Sequence, residues 1–276
     1  MLEPLADCWN RIHDRIHQAC RRANRPASSV TLIGVTKTVE AARIQEAIDL
    51  GLTDLGENRV QEARAKQMAL GSRLKALGKD DQGRGLEPRA SSLQPVRWHL
   101  IGHLQRNKVK QALEIFDVMH SVDSLELVDE LERRAPKDAL GSKLRVQGKN
   151  PQPIAVFIQV NISGELTKFG CRPDEVIKLA TAVARSSQVT LAGLMTMAPF
   201  ADDPERSRPV FHRLRQLRDR VASALSLSTG GGSAFGGEPR ALSLSMGMSQ
   251  DFEVAIEEGA DFIRIGTALF GARDVA

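Results

Sequence analysis

The chain has no tyrosine, only 3 cysteines and no apolar run long enough to cross a membrane. Each absence closes a class of function. Without tyrosine there is no phenol to serve as an acid–base group. Cys8, Cys20 and Cys171 form no CxxC pair and are too few for a disulfide framework, so a reducing compartment is expected. The N-terminus, MLEPLADCWN, is acidic and broken by proline, with neither the basic nor the apolar region of a secretory signal. A soluble, cytoplasmic protein with no membrane partner is expected, as a monomer. Aromatic residues make up 4% and are not interleaved with basic ones, which argues against stacking on nucleic-acid bases. No GxGxxG follows a strand pattern, and TGGGSAFGG (229–237) misses that spacing. His13, His17 and Cys20 have helical metal-ligand spacing but no evident fourth ligand, so a helix flank is expected there and no metal.

What remains is an ordinary globular composition. At 276 residues, 42% hydrophobic and 26% charged, the chain can bury a full core. Across segments 71–95, 136–152 and 226–241 basic and acidic residues stand at 5 to 3, 4 to 1 and 1 to 1, a surplus that accounts for the net charge of +4. These segments are rich in Gly, Ser, Pro or basic residues and have no helix or strand period, so they read as loop or disordered insertions in a single domain, 1–276. A basic excess confined to solvated loops gives no nucleic-acid footprint.

Outside the insertions, strand and helix patterns alternate. An amphipathic helix with Leu5, Trp9, Ile12, Ile16 and Cys20 on one stripe comes first. Strands are predicted at 30–36, 52–55, 96–101, 117–122, 154–161, 190–197, 242–246 and 261–265. Helices are predicted at 41–50, 59–70, 106–115, 125–134, 173–186, 204–225 and 251–258, with Pro173 near one start and Ser249 capping the last. Eight strand–helix units predict an α/β fold, a (β/α)8 TIM barrel with an extra N-terminal helix. A doubly wound open sheet is the alternative, disfavoured by the missing glycine fingerprint.

This topology sorts the residues by face. All three insertions precede a strand, at the amino-terminal end of the barrel. Lys37 closes the apolar run VTLIGVT at the opposite, catalytic end, where an amine can form a Schiff base. The turns after strands seven and eight, SMGMS and RIGT, lie on that same face, where such barrels commonly bind phosphate. Backbone N–H groups at a helix start attract the anion, hydroxyls of Ser245, Ser249 and Thr267 can add donors, and Gly247 and Gly266 permit close approach. A lysine and two phosphate turns together suggest pyridoxal 5′-phosphate.

The residues then resemble a known family. GVTK, GENRVQE (56–62), WHLIGHLQRNK (98–108), VNISGELTKFG (160–170), GLMTMAP (193–199), SMGMSQDFEVAI (245–256) and RIGTALFG (264–271) are similar to the pyridoxal phosphate homeostasis proteins. These are single-domain relatives of the alanine racemase barrel. The seven motifs stand in order over nearly the whole barrel, and the three insertions are the departure. The resemblance implies that Lys37 holds the cofactor, that Ser245, Ser249, Gly266 and Thr267 hold its phosphate, and that Arg264 faces the pyridine nitrogen. An arginine has only donors there, which would keep the ring nitrogen unprotonated and weaken the electron sink. Asn58 and His99, at the ends of strands two and three, are candidate pocket residues, with a structural hydrogen bond as the equal alternative. Lys168, with Glu165 three residues earlier, is a candidate second amine for passing the cofactor to apoenzymes; a solvated loop lysine is the default.

Two-base racemisation in the related barrels needs a tyrosine opposite the lysine, and this chain has none. The last motif ends at Gly271, so no second domain is expected to supply another acid–base group. The leading expectation is a non-catalytic cofactor carrier with no catalytic residue. Two rivals stay open at this point: a pyridoxal-phosphate racemase or lyase, and a cofactor-free Schiff-base aldolase whose phosphate turns bind substrate.

Overall fold

A computed structural model describes residues 3–77, 96–135, 153–165, 167–228 and 242–271. The strands close into a parallel barrel in chain order, β1 (Thr31–Val35), β2 (Asp54–Glu57), β3 (Arg97–Leu100), β4 (Val118–Val122), β5 (Ile154–Gln159), β6 (Val189–Met195), β7 (Ser243–Met248) and β8 (Phe262–Ile265). This is the expected barrel. The helices are α1 (Leu5–Arg22), α2 (Ala41–Asp49), α3 (Val60–Leu77), α4 (Val109–Ile115), α5 (Leu125–Arg134), α6 (Val176–Arg185), α7 (Arg208–Ser228), α8 (Phe252–Glu257) and α9 (Thr267–Phe270). Strands covered on both faces need side chains suited to burial throughout, and β4 is buried at every position.

Where element edges depart from the sequence reading, the causes are local. β2 begins at Asp54 rather than 52, because its buried Asp54 and Glu57 break the apolar pattern that marks a strand. α3 continues to Leu77 and α7 to Ser228, so 71–77 and 226–228 are helical rather than loop insertions. The rest of the predicted insertions, 78–95, 136–152 and 229–241, lies outside the described residues. α6 starts at Val176, after a turn in which the Glu175 carboxylate accepts from the Arg172 N–H. Among the described residues no helix is long and apolar enough to cross a membrane.

Barrel closure positions the site. β1 pairs with β8, with Gly34 opposite Ile265, so the ends of the first and last strands are neighbours. α1 buries Leu5, Cys8, Ile12, Ile16, Ala19 and Cys20 and packs on α8 and α9, the helices that follow β7 and β8. Arg15 holds Glu253 through two hydrogen bonds of 2.7 and 2.8 Å, and Arg22 holds Glu257. The extra helix therefore braces the side of the barrel that carries the two glycine turns.

Candidate functional site

Lys37 stands half-buried two residues beyond β1. The residue after it, Thr38, has a φ of 64°, uncommon for a β-branched side chain, and its hydroxyl donates to the Lys37 carbonyl. Strain of this kind gathers where a structure holds a functional group in place. The residue before it, Thr36, is fully buried and donates to Glu57 Oε1 at the end of β2. Lys66 of α3 reaches the same Glu57 oxygen and also the Thr36 carbonyl. A carboxylate, an ammonium and a hydroxyl thus pin the backbone on which Lys37 stands. Sequence reasoning missed Thr36, Glu57 and Lys66, and the predicted strand 52–55 stopped short of Glu57.

The adjoining wall, on the β7–β8 side, is made of backbone. Ser249 Oγ accepts from the N–H groups of Gly266 and Ala268, both at 3.3 Å. It does not cap α8, as the sequence reading had it. Asp251 occupies that position, and its carboxylate is taken by the Met248 N–H and the Ser207 hydroxyl. A shift in the β7–β8 register around Gly247 carries Ser249 across to β8 instead. Gly247 has a φ of 93°, and a Cβ there would lie 2.6 Å from Ala255 Cβ. Two N–H groups that converge on an oxygen make a place where a phosphate oxygen fits. Thr267 is exposed at the start of α9, and Gly266 packs beside Val35 of β1, which brings this turn next to the Lys37 strand.

Ser245 departs from its expected role. It lies within β7, fully buried, with its hydroxyl between His120 Nδ1 at 2.9 Å and an Arg264 N–H at 2.8 Å. His99 takes the structural alternative: both ring nitrogens are engaged inside the barrel, Nε2 with Asp54 Oδ1 at 2.8 Å and Nδ1 with His120 Nε2 at 2.9 Å. Inward-facing positions on β2, β3, β4, β7 and β8 bring these side chains together. Arg264 is buried, which removes the surface alternative; it donates to Ser245 and to the Thr196 carbonyl at 2.9 Å. Burial pushes its guanidinium down to about 10, against the opposing charge of Asp251, so it stays cationic near neutrality. Asp54 and His120 were missed, since neither stands in a turn or beside a glycine.

The remaining candidates are spread around the mouth. Asn58 follows β2, half-buried; Gly102 passes so close that a Cβ would sit 2.4 Å from the Asn58 carbonyl oxygen. Lys168 and Glu165 do pair, at 3.3 Å, on the loop after β5. Strand order puts that loop across the barrel from β1, so Lys168 is not brought beside Lys37. Next to it the ring of Phe169, largely exposed, stacks on His103 at 4.2 Å.

The sequence pattern of the alanine racemase N-terminal domain matches residues 10–274. The chain is 39% identical over 264 residues to the pyridoxal phosphate homeostasis protein of Aquifex aeolicus, covering 96% of each chain. It is 35% identical to the protein of that name from Pseudomonas aeruginosa, covering 99% of this chain and 97% of the other. Among solved structures, PipY of Synechococcus elongatus with PLP (pyridoxal phosphate) bound is 32% identical, with a TM-score of 0.67 over 94% of this chain and 100% of that one. Family pattern, near full-length relatives and fold agree: the chain belongs to the alanine racemase N-terminal domain family and, within it, to the pyridoxal phosphate homeostasis proteins.

Proposed function

We propose that the chain binds pyridoxal 5′-phosphate and serves its homeostasis in the cytoplasm, holding and delivering the cofactor without substantial turnover. The observation that carries this reading is the juxtaposition of Lys37, at the end of β1, with the turn after β8, where two N–H groups already converge on an oxygen. When bound, the cofactor supplies an aldehyde that condenses with an amine and a ring that can withdraw electrons. Lys37 is the amine. The N–H groups of Gly266 and Ala268, with the hydroxyls of Ser249 and Thr267, receive the phosphate, and Gly247 gives the turn its shape. Asn58 lines the mouth beside Lys37.

Arg264, having only donors, would leave the ring nitrogen unprotonated, a setting that would suit storage better than turnover. No tyrosine exists to work opposite Lys37. The amine of Lys168, paired with Glu165 across the mouth, is the candidate point of hand-over to apoenzymes.

The test has two parts. Purified protein should be yellow and, after borohydride reduction, should carry the label on the Lys37 peptide. The loaded protein should transfer cofactor to an apoenzyme yet show no racemisation of alanine or serine. Label on another lysine overturns the site. Racemisation at about 1–10³ per second, abolished by Lys37→Ala, overturns the carrier and restores an enzyme.

A further inference from the structure

We propose that Asp54, His99, His120 and Ser245 form one single-file hydrogen-bonded relay through the barrel interior, with both histidines neutral and protonated on Nε2, that positions Arg264. The four are positioning residues; none is assigned contact with the cofactor. That Arg264 meets the cofactor ring rests on the function proposed above, whereas the relay's proton order does not.

Donor and acceptor inventory fixes the direction of the chain. Arg264 can only donate, so Ser245 Oγ accepts from it at 2.8 Å. At the far end Asp54 is a carboxylate that only accepts, here from His99 Nε2 at 2.8 Å. Between these ends, one assignment uses each proton once: Ser245 donates to His120 Nδ1, His120 Nε2–H donates to His99 Nδ1, and His99 Nε2–H donates to Asp54. The reverse order fails on two counts. It needs a cationic His99 in the same buried chain as the Arg264 cation. It also makes Ser245 accept from both His120 and Arg264, leaving its own hydroxyl proton without an acceptor among the hydrogen bonds described. Burying that unmatched donor and a second charge is costly.

The surroundings of the chain agree. His120 is fully buried, stacked on Phe157 at 4.4 Å between near-parallel rings and edge-on to Phe262. Burial above all, with the Arg264 cation adding to it, pushes its proton affinity well below the ordinary histidine value. The Asp54 end is anchored. Arg97 Nε lies 2.8 Å from Oδ1, and Thr53 Oγ1 donates to Oδ2 at 2.7 Å. Burial opposes its ionisation, but the bond from His99, with Thr53 and Arg97, holds the carboxyl below its usual value. A cleft of about 370 Å³, lined by Trp9, His13, Thr53, Asp54 and Arg97 among others, adjoins this end. The charged groups facing the relay are therefore Arg97 at one end and, at the other, Arg264 with Asp251 near it.

Nitrogen-15 NMR of the cofactor-free protein tests the proton order directly. Rings of His99 and His120 should both carry their single proton on Nε2, and that of His120 should stay so over about pH 5–8, where an ordinary histidine titrates. A cationic ring, or an Nδ1–H tautomer at either site, overturns the relay without reference to the cofactor. The loaded protein supplies the second reading, in His120→Phe and His120→Asn. Cofactor trapped at Lys37 should persist while the pH profile of its absorbance moves by about one unit or more, a tenfold change in the proton equilibrium. A profile that stays put in both variants overturns the positioning role. Wild-type protein with no cofactor trapped at Lys37 would sink the function proposed above and leave the NMR result to decide the relay.

Discussion

The two walls of the barrel mouth hold their groups by different means. On the β1–β2 side the work falls to buried side chains: Glu57 takes Thr36 and Lys66, and Lys66 also takes the Thr36 carbonyl. On the β7–β8 side it falls to backbone N–H groups gathered on Ser249 around a left-handed Gly247. A charge cluster fails abruptly, because removing one member leaves another charged and buried. A backbone cradle fails by degrees, because each side chain contributes only one of several bonds. Equal truncations on the two walls should therefore have unequal consequences.

The largest effect belongs to Lys37. Lys37→Ala should remove covalent retention altogether, measured as borohydride-fixed cofactor per chain, while weak reversible binding through the β7–β8 turn survives. Undiminished fixation would move the amine to another lysine. Next comes the brace behind it. Lys66→Met should destabilise the fold by about 3–5 kcal/mol in urea titrations, since Glu57 is fully buried and its Oε2 already lacks a partner. Lys66→Met combined with Glu57→Leu should recover most of that loss. A single variant as stable as wild type would show the β1–β2 wall to be no more charge-dependent than its opposite.

The glycine turns give a finer contrast. Gly247→Ala should cost about 1–3 kcal/mol, because φ is 93° and the new methyl meets Ala255 and Phe252. Gly266→Ala should cost much less: its φ of −110° suits any residue, and the nearest atom to a new Cβ is 3.5 Å away. Two glycines that look alike in sequence thus separate in thermal melts. Similar losses at both would place the constraint elsewhere in the turn.

That pair also marks what the sequence made legible. Residues at strand ends could be placed, because in a (β/α)8 fold topology alone assigns them a face; Lys37, Ser249, Gly266 and Arg264 were placed on one end of the barrel in that way. Partners from elements distant in sequence could not. Lys66 is one of many lysines on an amphipathic helix, and nothing local says that it turns inward to Glu57. His99 was read at a strand end, yet the barrel interior gave it Asp54 and His120, from two other strands. Ser249 was read as a cap for the helix beside it, and a hydroxyl within reach of β8 went there instead. Helix ends inside 71–95 and 226–241 were missed because Gly71, Ser72, Ser226 and Ser228 read as loop punctuation where the helix simply continues.

For the phosphate turn, Ser249→Ala and Thr267→Ala should each weaken cofactor binding by about 1–3 kcal/mol, the worth of a charge-assisted bond. Chemical stability of the fold should barely change, which is the sign of the backbone-built wall. Equilibrium dialysis against the cofactor, with urea titrations in parallel, separates the two quantities. Unaltered affinity in the double variant would remove the phosphate from this turn.

The smallest expected effect asks whether the barrel interior follows the side-chain wall or the backbone wall. His120 is held neutral in the fold by burial, helped by the Arg264 cation, so its folded proton affinity lies well below the ordinary value. Unfolded, the ring takes a proton at about pH 6.5. Below that pH the unfolded chain binds a proton that the folded chain does not, so stability falls as the solution is acidified. The limiting slope is about 1.4 kcal/mol per pH unit for one proton. Asp54 works in a separate window. Its carboxyl is depressed in the fold, so its contribution is present above the usual carboxylate range and is lost only at lower pH, beneath about pH 4. Between about pH 6.5 and 5 the excess slope should therefore come from His120 among these two, and His120→Phe should be flatter than wild type by up to one proton. Urea midpoints at a series of pH values read this difference. Identical slopes would mean that His120 gains its proton in the folded barrel, and the interior would then yield to acid by degrees, as the backbone wall yields to truncation.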